Sequence, residues 1–141
     1  MRARDALSLM PWLLGMLVAV HAAHAYEPQA NYMLNCMGCH LEDGSGAPGK
    51  VPSLRTTLIP FAQTQAGRRY LVQVPGTSQS ALSDREIAEL LNWMIRSLSD
   101  RAVPRGLGDF TAGEVGSYRS ERLRDAAATR VRLLAAAGNR G

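Results

Sequence analysis

The sequence predicts an all-α protein, and three observations lead to that fold class. Residues 82–98 repeat apolar side chains at helical spacing, and residues 120–137 are rich in alanine with leucines set among arginines. No strand-like alternation precedes the cysteine-containing run at residues 36–40. We expect three parts: residues 1–25, a single helical domain over 26–99, and a short helical extension over 100–141.

The first part of the chain has the pattern of an export signal. Arg2 and Arg4 precede an almost wholly apolar run from Leu7 to Val20, and Ala23-His24-Ala25 supplies a small-x-small cleavage pattern. The apolar run of about 14 residues is shorter than the roughly 20 that span a bilayer. A retained membrane anchor stays open as an alternative. We predict a signal peptide over this segment and a periplasmic protein after cleavage.

The charge distribution limits the partners and activities to consider. The formal net charge is +4, from 16 basic and 12 acidic residues, and the basic residues form no dense patch. Nucleic acid is therefore not a predicted partner. The chain also lacks a phosphate-binding loop and a catalytic triad, and after residue 25 its one histidine is His40. We predict that the protein is not an enzyme.

The run Cys36-Met37-Gly38-Cys39-His40 contains both cysteines of the chain. C-x-x-C-H is the attachment signature of a c-type haem, in which the thiols form thioethers and the histidine binds iron. A thioredoxin-like pair normally follows a strand, a zinc site needs about four ligands, and a Cys36–Cys39 disulfide would close a very small loop. We therefore predict one covalent haem c, bound by Cys36 and Cys39, with His40 as the proximal iron ligand.

The residues around this run point to a family. A short predicted helix is followed by the cysteine run, by a loop containing Gly44, Gly46 and Gly49, and by a Pro-Ser-Leu element at 52–54. Residues 31–54 thus resemble the N-terminal half of class I c-type cytochromes. The resemblance implies a cytochrome c-like helical domain around one haem. It also implies that the carbonyl of Pro52 accepts a hydrogen bond from Nδ1 of His40.

The clearest helix signal lies over residues 82–98. Ser83 and Glu86 form a capping-box pattern at its start. The apolar positions along one face are Ile87, Leu90, Leu91, Met94 and Leu98. This segment resembles the C-terminal helix of the same family, in which an aromatic residue packs against the first helix. Trp93 fills that place, and Tyr32 is its predicted partner.

The second axial ligand of the iron is the point at which the chain departs from the family. Class I members usually supply a methionine, often followed by proline, where this chain has Val74-Pro75. After His40 there is no histidine and one methionine, Met94. Three interpretations stay open: Met94 is the distal ligand, the site is five-coordinate or water-bound, or another group such as the Gln79 amide binds.

Residues 100–141 extend beyond the resemblance. A capped start at Thr111 predicts a short helix through Tyr118, and residues 120–137 predict a second. One interpretation is a helix pair that clasps the cytochrome domain. The alternative is a basic docking surface for an acidic partner.

Together these patterns predict an exported single-haem c-type cytochrome that transfers electrons. Its expected partners are redox proteins, such as an exported dehydrogenase, an oxidase or another cytochrome, with transient association to a membrane complex. An open-face haem protein that binds or senses gases, and a haem subunit of a larger dehydrogenase complex, are the alternatives. Arg68 and Arg69 are candidates to bind the haem propionates, and the alternative is that both are solvated surface arginines.

Overall fold

A computed structural model describes residues 27–138. The predicted signal peptide, residues 1–25, lies outside the described residues. Within 27–138 the chain forms seven α-helices and no strand, which confirms the all-α prediction. The helices are α1 (Pro28–Asn35), α2 (Leu58–Ala62), α3 (Gln65–Gln73), α4 (Pro75–Ser78), α5 (Asp84–Ser97), α6 (Ala112–Arg119) and α7 (Ala126–Gly138). None of them is long and apolar enough to cross a membrane.

Helices α1 and α5 pack against each other. Pro28 opens α1, where its missing N–H costs no intrahelical hydrogen bond. The rings of Tyr32 on α1 and Trp93 on α5 lie 5.6 Å apart at a tilt of 46°. The predicted aromatic contact between the two helices is therefore confirmed.

Helix α5 begins with the predicted capping box. The Ser83 hydroxyl accepts a hydrogen bond from the Glu86 N–H at 3.3 Å, and the Glu86 carboxylate accepts one from the Ser83 N–H at 2.8 Å. These bonds satisfy two backbone donors that a helix start would otherwise leave free. The Ser83 hydroxyl also donates to the Glu86 carboxylate at 2.6 Å, and this bond, followed by the one from the Ser83 N–H, lowers the pKa of the Glu86 carboxyl. The buried residues of the helix are Ile87, Ala88, Leu90, Leu91, Met94 and Ile95.

The segment from residue 100 onward packs on the remainder of the described structure. Helix α6 lies against α5 and α3, while α7 lies against α3 and α2. The Asn92 side chain fixes the start of this segment, because its Nδ2 donates to the Phe110 carbonyl at 3.0 Å and its Oδ1 accepts from the Phe110 N–H at 2.8 Å. Thr111 caps α6 as predicted. Helix α7 starts at Ala126, later than its sequence pattern suggested.

Two arginines of α3 connect that helix to the C-terminal segment. The Arg68 guanidinium donates to both carboxylate oxygens of Glu114 and to the carbonyls of Gly108 and Asp109. Arg69 pairs with Glu121. Both side chains are therefore occupied by protein partners, and neither lines the cavity described below. The prediction that Arg68 and Arg69 bind haem propionates is wrong, because both form ion pairs with glutamates about fifty positions further along the chain.

A third arginine, Arg119 at the end of α6, holds the loop that precedes α5. Its guanidinium donates to the carbonyls of Ser78 at 2.9 Å and Leu82 at 2.8 Å, and also to that of Ser80. It forms an ion pair with Asp84 at 3.2 Å. One side chain thus donates hydrogen bonds to three carbonyls, at the end of α4 and in the loop after it, that lack a partner within a helix.

Candidate functional site

A cavity of about 310 Å³ opens among the helices, and its walls are mainly apolar. One wall comes from the end of α1 and the turn after it, and another from the loop at 50–54. The remainder comes from the start of α2, from α3, α4 and α5 with the loop between the last two, and from Arg130 of α7. The apolar lining residues are Val51, Pro52, Leu54, Leu58, Tyr70, Leu71, Val74, Leu82, Ile87, Leu90, Leu91 and Met94.

The predicted attachment residues lie together on this cavity. Helix α1 ends at Asn35, and the Cys36 N–H donates to the Tyr32 carbonyl at 2.8 Å. A tight turn follows, since the N–H groups of Cys39 and His40 both donate to the Cys36 carbonyl, at 3.1 and 2.9 Å. The turn directs Cys36, Cys39 and His40 to the same cavity wall.

Cys36 and Cys39 are free thiols, and the surroundings of Cys36 do not favour a thiolate. Burial, and secondly the charge of Cys39, raises the pKa of Cys36 to about 11. Reactive cysteine pairs of redox enzymes have thiol pKa values lowered by nearby positive groups. In addition, no three metal-binding side chains among residues 27–138 form a group able to hold an ion. The redox-pair and zinc interpretations of the motif therefore find no support.

His40 is suited to act as a neutral ligand. Burial lowers its pKa, and the positive charge of Arg130 lowers it further. An uncharged imidazole is the form that binds iron. Its Nδ1 is buried without a hydrogen-bond partner among the described residues. Pro52 lines the same cavity, but its carbonyl makes no hydrogen bond to Nδ1 in this structure, so that role stays a prediction.

The loop behind His40 depends on glycine in two different ways. Gly44 and Gly49 have φ values of 79° and 72°, in the left-handed region that glycine adopts at low cost. Gly46 has no positive φ, but a Cβ there would lie 2.1 Å from the Val51 carbonyl oxygen. The loop therefore needs Gly46 for close backbone approach and the other two for conformation.

The segment that would carry the family methionine supplies an apolar wall instead. Val74 is half-buried and lines the cavity, whereas Gln79 is exposed and is not among the lining residues. Met94, from α5, is buried and lines the cavity. Among the described lining residues, Met94 carries the one soft or imidazole donor outside the cysteine run. The structure thus brings Met94 to the cavity that contains His40, and it does not bring Gln79 there.

Two cationic side chains of the cavity were not expected from the sequence. Lys50 lines it from the glycine loop, and Arg130 reaches it from α7. The spacing of residues along α7 is a signal that could have indicated Arg130. Ala126, Arg130 and Leu133 are spaced by four and three residues, and Ala126 and Leu133 pack against the core. Arg130 therefore lies on the inward face of α7.

These features fit a covalently attached haem. The lining is mainly apolar, Cys36, Cys39 and His40 lie on one wall, and the Nδ1 of His40 is a buried polar atom without a partner among the described residues. The cations at the cavity match the carboxylates that a haem carries at its edge. Fold and site together define a small helical protein for a single attached haem.

Comparison with known proteins agrees with this class. No family model matches the chain. A cytochrome c-552 of Thermus thermophilus is 30% identical over 129 residues, covering 79% of this chain and 87% of the relative. Another cytochrome c-552 from the same species is 30% identical over 112 residues, covering 67% of this chain and 86% of the relative. The chain belongs to the class I c-type cytochromes, electron-transfer proteins that carry covalent haem c.

Proposed function

We propose that this cytochrome is an exported, periplasmic carrier with one haem, which passes electrons between redox proteins. The observation that carries the proposal is the placement of Cys36, Cys39 and His40 on one mainly apolar cavity of about 310 Å³. The membership of the electron-transferring cytochromes supports it. In this proposal residues 1–25 are a signal peptide, residues 26–99 form the cytochrome domain, and residues 100–141 form its helical extension.

Each site residue has a defined task. The sulfurs of Cys36 and Cys39 hold the haem through thioether bonds, so that it stays attached through repeated oxidation and reduction. His40 binds the iron through Nε2, and the Pro52 carbonyl orients the ring through Nδ1. Met94 is the distal candidate, because it lines the cavity that contains His40. As a ligand, its thioether sulfur would raise the reduction potential and close the iron to substrates. When bound, haem c supplies an iron that alternates between the ferric and ferrous states.

The residues that line the cavity influence the reduction potential of the haem. The apolar lining excludes water from the site, and a low local dielectric strengthens every charge effect inside it. Burying the ferric charge is unfavourable, so an apolar pocket favours the reduced state. The chain's part in electron transfer is therefore to hold the group in place and to adjust its potential.

The proposed partners are an exported dehydrogenase as electron donor and an oxidase or another cytochrome as acceptor, including transient contact with a membrane complex. Small, short-lived interfaces suit a carrier that exchanges partners. The formal net charge of +4 favours encounter with partners that present acidic surfaces.

The test is to express the full chain in a bacterium that attaches haem to exported proteins. We expect haem that stays on the polypeptide through denaturing electrophoresis, together with a periplasmic location. Replacing Cys36 and Cys39 by serine should abolish the covalent haem. Met37→Leu, a change inside the same turn, is the matched control and should keep it. Wild-type protein without covalent haem would contradict the proposed function.

Electron transfer itself is measured with the purified haem protein. We expect reversible reduction and reoxidation with small redox proteins as donors and acceptors. A second candidate function, gas binding at an open iron, is favoured by one observation: Val74 stands where the family has methionine. Stable carbon monoxide binding by the ferrous wild-type protein at neutral pH would support this second function in place of the first.

A further inference from the structure

Arg130 differs from the other arginines that connect the C-terminal segment to the fold. Arg68, Arg69 and Arg119 all form ion pairs with carboxylates. Arg130 is half-buried and lines the cavity, yet it forms no hydrogen bond and no ion pair with any described residue. Partial burial of a charged guanidinium is unfavourable unless an anion or another acceptor pairs with it. The cavity is where its missing partner would lie.

Packing contacts fix the position of the Arg130 side chain. Its guanidinium lies 5.7 Å from the centre of the Phe61 ring, within the range of a cation–π contact. On the same face of α7, Ala126 and Leu133 pack against the core. Helix α7 has no fully buried residue, so these contacts alone leave it weakly attached. An additional contact from Arg130 would strengthen that attachment.

The charge of the cavity indicates the kind of partner. Among the described residues that line it, Lys50 and Arg130 are the charged ones, and none is an aspartate or glutamate. An anion inside the cavity would therefore meet cations and no competing carboxylate. The covalent haem of this family carries propionate carboxylates, and an arginine can bind a carboxylate through paired N–H donors.

We propose that Arg130 binds a propionate of the haem and so attaches the C-terminal helix to the cofactor. The ion pair completes the hydrogen bonding of the guanidinium and closes the cavity on the α7 side. It also places a fixed positive charge near the iron, which disfavours the more positive ferric state. Arg130 is thus a positioning residue that raises the reduction potential of the carrier. The inference rests on the haem of the proposed function.

The test compares the haem-loaded wild-type protein with Arg130→Gln, Arg130→Lys and a control, Arg132→Gln. Arg132 lies two positions away on the same helix, is exposed, and contacts Thr129 instead of the cavity. We expect Arg130→Gln to lower the reduction potential and to shift the propionate carboxylate bands in redox-difference infrared spectra. Arg130→Lys should restore most of the potential but not the bands, because it keeps the charge and loses the paired geometry. Arg132→Gln should leave both at the wild-type values.

A second measurement separates this contact from a general packing role. In the haem-loaded protein, Arg130→Gln should make α7 more accessible to a protease that cuts at arginine, whereas Arg132→Gln should not. Equal potentials and equal infrared bands in Arg130→Gln and Arg132→Gln would overturn the proposal. Absence of covalent haem in the wild type would instead be a failure of the proposed function, and the two outcomes are distinct.

Discussion

Arg68 of α3 and Glu114 of α6 form a two-point ion pair, in which the arginine Nε and Nη2 each lie 2.6 Å from a carboxylate oxygen. The side chains are 14% and 21% exposed, so water competes little for them. The same guanidinium stacks 3.8 Å from the centre of the Phe110 ring. This pair joins α3 to α6 and so is one of the contacts that hold the C-terminal segment in place.

Replacing Arg68 by glutamine should therefore destabilise the protein. The change leaves the Glu114 carboxylate partly buried without its partner, and we expect the free energy of unfolding to fall by about 1–3 kcal/mol. Urea denaturation followed by circular dichroism measures it. Arg85→Gln is the control, because Arg85 and Glu89 form an exposed pair at 3.8 Å that is worth about 0.5 kcal/mol or less. Equal losses in the two variants would show that the buried pair has no special weight.

The distal position of the iron is tested by Met94→Leu. Leucine has nearly the volume of methionine and no sulfur, so the fold should lose less than about 1.5 kcal/mol. We expect the wild type to show a low-spin ferric spectrum with the near-infrared band of a methionine ligand, and the variant to lose that band and lower its potential. The ferrous variant should then bind carbon monoxide. Unchanged spectra in Met94→Leu would assign an apolar distal face instead.

Tyr32 is expected to limit the alkaline stability of the fold. Burial first, and then the charges of Cys36 and Asp43, raises its pKa to about 12 from an ordinary value of 10.0. Burial remains as a cause once the Cys36 sulfur is in a thioether. A group with a raised folded pKa stabilises the protein below its unfolded pKa and loses that contribution as the pH rises through the folded value. Stability should therefore fall between about pH 10 and pH 12.

Tyr32→Phe should remove this alkaline loss. At neutral pH the variant also lacks the hydrogen bond from the Tyr32 hydroxyl to the Leu41 carbonyl at 2.6 Å, which costs about 1 kcal/mol. Thermal unfolding across the alkaline range measures both effects. Tyr118→Phe serves as the comparison, since it removes a tyrosine hydroxyl away from the cavity. The interpretation is wrong if Tyr32→Phe and the wild type lose stability in parallel.

Gly46→Ala should disturb the loop behind His40. The added Cβ would lie 2.1 Å from the Val51 oxygen and 2.9 Å from that of Pro52, so the loop backbone must move. We expect a loss of about 1–3 kcal/mol in unfolding free energy and a lower yield of attached haem. Gly38→Ala, inside the cysteine run, adds a Cβ with no heavy atom within 4 Å and should be tolerated. Similar yields from both variants would contradict the requirement for close approach.

Local patterns predicted the parts of the fold that local interactions form. The capping box at Ser83 and the apolar face of α5 depend on residues within a few positions of one another. The cysteine run likewise lies in one turn, so its three side chains reach one wall together. The pairing of Tyr32 with Trp93 came from the resemblance to a family, since no local rule links residues so far apart.

The contacts of the arginines show why the remainder was not predictable from the sequence. Arg68 and Arg69 are adjacent in the chain, and their partners Glu114 and Glu121 lie in the C-terminal segment. Which cation meets which anion depends on how α3, α6 and α7 pack. That packing brought Arg130 to the cavity and kept Arg68 away from it. The sequence analysis did not single out Arg130, because what the inward face of α7 covers depends on this packing.

Arg119 ties down the loop between α4 and α5 at Ser78, Ser80 and Leu82, and Ser80 and Leu82 also line the cavity. Polar groups already fixed by hydrogen bonds need not rearrange when a charge appears or disappears beside them. In the haem-loaded protein, the atoms of this wall would therefore move little when the iron gains or loses an electron. We expect the arginine at the end of α6 to keep the reorganisation energy small in this way, which would suit a carrier that meets each partner only briefly.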